Sequence, residues 1–185
     1  MVYRYRYKPR RKRKLRVHDI LIIVLCIALA VLLYQMLLVP VLQVPSFVVL
    51  SGLSTTGYVQ VAVDAEVMGG NGIVTLTGGC YQITAYTEAV QAESIANGLA
   101  GHVGFRPGTH DLIKDVFENL GIEVLMVKVT ELKNNTFFGR LILRQGNSVV
   151  SLDARPSDAT AIAVRFGAPV YVKESLMKDL GRKIC

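Results

Sequence analysis

The sequence contains no Walker loop, nucleophile elbow, dinucleotide fingerprint or zinc-hydrolase motif, which excludes the familiar single-motif routes to phosphate, acyl and metal chemistry. Cysteine is scarce. Cys26, Cys80 and Cys185 are too few for a disulfide framework, and none of their spacings suits a metal. Cys80 and Cys185 are able to pair only if the region holding them faces an oxidising space. No segment repeats another, so a stacked-repeat architecture is excluded as well.

Charge is missing from one long stretch. From Ile20 the chain reads ILIIVLCIALAVLLYQMLLV, twenty residues without Asp, Glu, Lys or Arg. As a helix this run is about 30 Å long, the thickness of a bilayer core. It has no polar face of the kind a surface helix of a globular domain carries. A cleaved signal peptide is the nearest rival, with Ala28-Leu29-Ala30 as the cleavage site, but Val31-Leu32-Leu33 continues the apolar run where a polar stretch should begin. The expectation is a retained signal anchor, a transmembrane helix over residues 20–42.

The net charge of +7 invites a nucleic-acid-binding reading until the charges are located. Nine Lys or Arg residues lie between Met1 and Asp19, giving that tail +8, and the remaining chain has 12 basic and 13 acidic residues. Any grip on a polyanion in the folded part must therefore be local. Basic residues beside a span are held on the cytoplasmic side, so the tail 1–19 is expected inside and the soluble domain outside. Membrane lipid is then a partner through residues 1–42.

Residues 43–57 read as a linker and 58–185 as one domain. Val59, Val61, Val63, Ala65 and Val67 alternate with polar or small residues, the pattern of a half-buried strand. Strands are also expected at Ile73–Leu76, Tyr81–Thr84, Ile122–Thr130, Thr136–Arg144, Ser148–Asp153 and Val170–Val172. Thr87 is placed to cap a helix with an apolar stripe of Ala89, Ala92, Ile95, Ala96 and Leu99. Thr109 is placed to cap a second, with Leu112, Ile113, Val116, Phe117 and Leu120 turned inward. Pro156 starts a third helix and Glu174–Leu180 forms the last. The fold class is α+β, a mixed sheet of hairpins packed with amphipathic helices, preceded by one transmembrane helix.

Two strings gather chemistry. LDARPSDA sets Asp153, Arg155 and Asp158 at a strand-to-helix junction, where carboxylates can hold a metal or a proton and a guanidinium can clamp a phosphate. A purely structural use is open at the same positions, with Asp158 capping its helix and Asp153 paired to Arg155. FRPGTHDL sets Arg106, His110 and Asp111 at a loop-to-helix junction. His110 titrates near neutrality and can move a proton, and Asp111 can bind a metal or orient the ring. Here too Asp111 can simply serve the helix start. His102 lies on a glycine-rich loop and is more weakly placed.

In these strings the chain resembles the bifunctional nuclease family, a domain named for cutting both DNA and RNA. The likeness runs from about Tyr58 to Met177 and is carried by RPGTHDLIKDVFENLGIEVLMVKV, TFFGRLIL and above all SLDARPSDATAIAVRFGAPVYV. The resemblance implies an α+β fold, frequent homo-oligomers and phosphodiesterase activity. Two positions depart from the family pattern: Gln91 stands near a usual Glu, and Thr160 replaces a usual aliphatic residue. The expected function is a membrane-anchored nuclease assisted by a divalent metal such as magnesium. In it Asp153, Asp158 and Asp111 hold the metal, Arg155 and Arg106 steady the nucleic-acid phosphate, and His110 transfers a proton. The alternative is a non-catalytic, membrane-tethered oligomerisation or binding domain.

Overall fold

The computed structural model describes residues 17–38 and 52–185, and the chain divides into two units, Met1–Ser46 and Phe47–Cys185. Among its described residues the first unit contributes one helix, α1 (Val17–Leu38), whose large apolar side chains from Ile20 to Tyr34 are all exposed. Among the described residues no helix is long and apolar enough to cross a membrane. The transmembrane helix expected over 20–42 is described only as far as Leu38, and this part is helical from Val17, three residues before the expected start. Most of the expected basic tail, the end of the expected span and much of the expected linker lie outside the described residues.

The second unit carries an eight-stranded mixed sheet. Its strands are β1 (Tyr58–Met68), β2 (Asn71–Gly78), β3 (Tyr81–Glu88), β4 (Ile122–Lys133), β5 (Thr136–Gln145), β6 (Ser148–Ala154), β7 (Val170–Lys173) and β8 (Arg182–Lys183). Their order across the sheet is β6-β5-β4-β7-β1-β2-β3-β8. Every pairing is antiparallel except β4 with β7. Short turns build the two hairpin groups. Asn134 and Asn135, both with positive φ, form the two-residue connection between β4 and β5, a conformation Asn tolerates because its short side chain costs little there. The single parallel strand β7 then joins the groups, pairing β4 on one side and β1 on the other. It needs a crossover, and the helix Pro156–Arg165 supplies it.

The domain's helices are α2 (Ala89–Ala100), α3 (Thr109–Asn119), α4 (Pro156–Arg165) and α5 (Glu174–Leu180). The core joins sheet residues Val61, Val127, Val129, Leu141 and Val172 to Ile95 of α2 and Ala159, Ala161 and Ala163 of α4. Small residues on α4 allow close approach, and Gly98 of α2 takes this furthest. A Cβ at Gly98 would lie 2.6 Å from Val164 Cγ2 and 2.9 Å from Arg165 Nη1. Packing at that distance is possible only without a side chain.

Several boundaries differ from the sequence expectation. Thr87 belongs to β3 and Glu88 is the N-cap of α2, without a side-chain cap bond, because β3 keeps pairing β2 as far as the Asn71 and Glu88 partners. Gly108, not Thr109, is the N-cap of α3. The inward stripe expected on α3 is also corrected. Ile113 and Phe117 pack on the core, whereas Leu112, Val116 and Leu120 are exposed. Cys80 and Cys185, left open by the sequence, form a disulfide that ties the β2–β3 turn to the chain end, where Ile184 N also donates to the Cys80 carbonyl at 3.0 Å.

Candidate active site

A cleft of about 560 Å³ opens where α2, α3 and the start of α4 meet, lined by Gln91, Ser94, Arg106, His110, Asp111, Asp158 and Arg165 among others. Pro156 at the first position of α4 fixes the helix start, so Asp158 falls in its first turn, where free backbone N–H groups favour a carboxylate. Arg155 immediately precedes the helix and folds back on Asp158. Its Nε donates to Asp158 Oδ2 at 2.6 Å and Nη2 to Oδ1 at 3.2 Å. This fork uses one edge of the guanidinium and leaves Nη1 for another anion.

His110 stands in the first turn of α3 between two elements. Its Nδ1 lies 2.8 Å from Ser94 Oγ of α2, and its Nε2 lies 3.7 Å from Asp158 Oδ1 of α4. The His110 pKa falls below its ordinary value of 6.5, chiefly through burial, with Arg165 pushing the same way and Asp158 and Asp111 opposing. Burial thus favours the neutral ring, which has a lone pair to use.

Arg165 supports this arrangement from the last turn of α4. Its Nε donates to Asp111 Oδ1 at 2.6 Å, Nη1 to the carbonyls of Ser94 and Ala161 at 2.9 and 2.7 Å, and Nη2 to Ser94 Oγ at 3.2 Å. The side chain is 6% exposed, so one guanidinium locks three helices together in a low-dielectric setting. Asp111 also accepts from Gly108 N at 2.9 Å, closing the α3 N-terminus. Desolvation is the largest single influence on Asp111 and raises its pKa. The hydrogen bonds from Arg165 and Gly108 and the Arg165 charge together outweigh it, and the carboxyl sits below 3.8.

Of the residues expected from sequence, His110, Asp111, Asp158, Arg155 and Arg106 line this one cleft. His102 lines it also. Asp153 does not: it is an exposed residue of β6, in register with Arg140 of β5, and is absent from the cleft wall. Gln91, turned so that its nitrogen faces Glu88, donates to Glu88 Oε2 at 3.1 Å and accepts from Arg155 Nη2 at 3.3 Å. An ionised Glu at this position could accept from Arg155 but could not donate to Glu88. Sequence reasoning missed Ser94 and Arg165. A faint signal existed, since Ser94 sits one turn after Gln91 on an otherwise alanine-rich helix, and Arg165 sits two turns after Asp158.

The expected metal set does not fit this geometry. Asp111 is committed to Arg165 and Gly108, Asp158 to Arg155, and Asp153 stands apart. Among the described residues no group of three or more His, Cys, Asp or Glu is arranged to hold a metal ion.

The family model described as the bifunctional nuclease domain matches residues 80–184, more than half of the chain. The chain belongs to the bifunctional nuclease domain family. The matched span includes the entire cleft and leaves β1 and β2 outside it. An uncharacterized protein of Mycobacterium tuberculosis is 38% identical over 91 residues, 49% of this chain and 54% of the relative. Bifunctional nuclease 1 of Arabidopsis thaliana is 37% identical over 82 residues, 43% of this chain and 25% of the relative, and Bifunctional nuclease 1 of Oryza sativa subsp. japonica is 34% identical over a similar span. The chain spans about half the length of the mycobacterial relative and a quarter of the plant ones.

Proposed function

We propose that this member of the bifunctional nuclease domain family is a membrane-anchored nuclease that hydrolyses phosphodiester bonds of DNA or RNA in the α2/α3/α4 cleft. The observation that carries the reading is the placement of His110 between Ser94 and Asp158 in a cleft that Arg155 also lines. Ser94 Oγ already accepts from Arg165; accepting also from His110 Nδ1–H leaves the lone pair on Nε2, beside Asp158. A water bound there donates one proton toward Nε2 and the other toward Asp158. Nε2 takes a proton as the water oxygen attacks phosphorus. The bond to the leaving oxygen breaks, and that oxygen recovers the proton from the imidazolium, giving a phosphate end and a hydroxyl end. Arg155, through its unused Nη1, and exposed Arg106 hold the phosphate and offset charge on its oxygens.

The mechanism assigns no step to a metal, because the carboxylates expected to bind one are engaged elsewhere. Cleavage of labelled single- and double-stranded DNA and RNA by the full chain in detergent, with magnesium, manganese or EDTA, tests the reading. His110→Gln should lose at least a hundredfold in rate. No cleavage of any substrate under any of these conditions would end the nuclease proposal.

The membrane setting rests on the uncharged run from Ile20 and the helical state of Val17–Leu38, with the nine basic residues before it holding the tail inside. The Cys80–Cys185 disulfide favours an external, oxidising side for the domain. Protease added to intact cells should remove the domain; a domain digested only after lysis would reverse the topology. Homo-oligomers are the second reading, favoured by the exposed line of Leu112, Val116 and Leu120 on α3. Val116→Glu should then shift the particle mass in light scattering toward the monomer, and an unchanged mass would remove this face from the interface.

A further inference from the structure

We infer that a second cavity on the other side of Arg155 is the subsite for a nucleobase of the strand being cut. The inference rests on the nuclease reading and names the part of the substrate that the catalytic cleft does not hold. The cavity measures about 250 Å³. Its walls include Val74, Leu76, Val129 and Val172 of the sheet, together with half-buried Phe137 and exposed Tyr86.

Three observations identify the occupant. Arg155 lines this cavity and also the cleft holding His110, so a phosphate on the guanidinium has catalytic groups on one side and an apolar chamber on the other. The chamber combines apolar walls with a few polar residues, Asn135, Thr136, Ser157 and buried Thr160, which suits a group with apolar faces and a hydrogen-bonding edge. An apolar cavity of about 150 Å³ accommodates benzene, so this one has room for a larger heterocycle. Thr160, where the family resemblance calls for an aliphatic side chain, is one of the residues that put a hydroxyl into that setting.

The charge distribution favours such a subsite. Beyond residue 19 the chain carries a net −1, too little positive charge for counterion release to supply affinity. Stacking and burial of a base supply affinity without net charge and with little dependence on sequence. A single-stranded segment therefore suits the pair of sites best, because its bases are free to leave the stack.

The test uses the full-length protein in detergent and a short fluorescent phosphorothioate oligonucleotide that resists cleavage, read by anisotropy. The same oligonucleotide with abasic sugars at every position is the control. The unmutated protein should bind the base-containing strand about tenfold more tightly than the abasic one. Ala85→Phe, which puts a ring into the cavity, should erase that difference while abasic binding stays the same. Equal affinity of the unmutated protein for both strands would overturn the inference, and this result needs no variant to fold. Loss of abasic binding in Ala85→Phe to the same degree as base binding would also count against it. Base-dependent binding without cleavage in the assay above retains the subsite and discards the nuclease reading. Cleavage with no base dependence does the reverse.

Discussion

At the scale of single residues, the chemistry of the cleft depends on what each charge is already doing. Asp111 and Arg165 form a nearly buried pair whose guanidinium also satisfies two backbone carbonyls. Arg165→Leu should cost about 3 kcal/mol in urea unfolding, since it leaves a carboxylate buried without its partner. Asp158 and His110 are coupled differently. Asp158 raises the His110 pKa against the larger lowering by burial. The acid limb of the pH–rate profile should therefore lie below pH 6.5, and Asp158→Asn should move it lower still while reducing the rate; an unmoved limb would uncouple the two groups. Stability follows the same signs. His110 is depressed in the fold, so acidification favours the unfolded chain from about pH 6.5 downward, until the folded pKa is passed. Asp111 stabilises above about pH 3.8, a contribution lost as pH falls through its lowered folded value. Stability measured from pH 8 to 3 should decline in both windows, and Asp111→Asn should flatten only the lower one.

At the scale of elements, the helix crossing decides whether the site exists. Gly98 lets α2 approach α4 closely enough for Arg165 to reach the Ser94 carbonyl and hydroxyl. Gly98→Ala gains helix propensity of about 1 kcal/mol, yet its methyl group meets Val164 and Arg165. We expect thermal stability to fall by about 1–3 kcal/mol and activity to fall by more than unfolding explains; a stabilised, fully active variant would show that the crossing tolerates the shift. The strand and helix sequence was largely legible because alternation in β1 and the Pro156 start of α4 are local signals. The inward face of α3 was not. Period alone places Leu112, Val116 and Leu120 on an apolar stripe, but how far α3 turns toward β4 and α4 is set by Ile113, Phe117 and the Asp111–Arg165 pair. The N-cap of α2 was misplaced for a related reason, since cross-strand pairing with β2 extends β3 through Thr87.

At the scale of the whole molecule, a few long-range ties hold the domain. The disulfide joins residues 105 positions apart and pins β8 beside β3. Cys185→Ser should destabilise the domain by about 3–4 kcal/mol, because a loop of that length regains much conformational freedom when unfolded. Addition of dithiothreitol to the native protein should produce a similar shift in denaturation midpoint, and no shift in either case would mean that the bond is not formed in the purified chain. Lys128 is another such tie. Though 5% exposed, its Nζ donates to the carbonyls of Gly52 and Ser54 at 2.5 and 2.6 Å and lies 5.1 Å from the Tyr58 ring centre. Desolvation lowers its pKa. It fastens the segment entering β1 to the middle of the sheet.

By itself the sequence determined the α+β class, most strands and helices, the apolar N-terminal run, the separation of basic tail from near-neutral domain, and two strings rich in acidic, basic and imidazole side chains. These properties are written in local periodicity, turn residues and charge. Only the tertiary structure decided that Asp153 stands apart while Ser94 and Arg165 join the site, that Asp111 is bound to Arg165, and that one parallel strand unites two hairpin groups. Each of those outcomes follows from which distant surfaces pack together. Asp153 and Asp158 are five positions apart in the chain, yet an edge strand and a helix turn carry them to different places. Ser94, His110 and Asp158 come from three helices and meet because small residues let those helices close around one buried guanidinium.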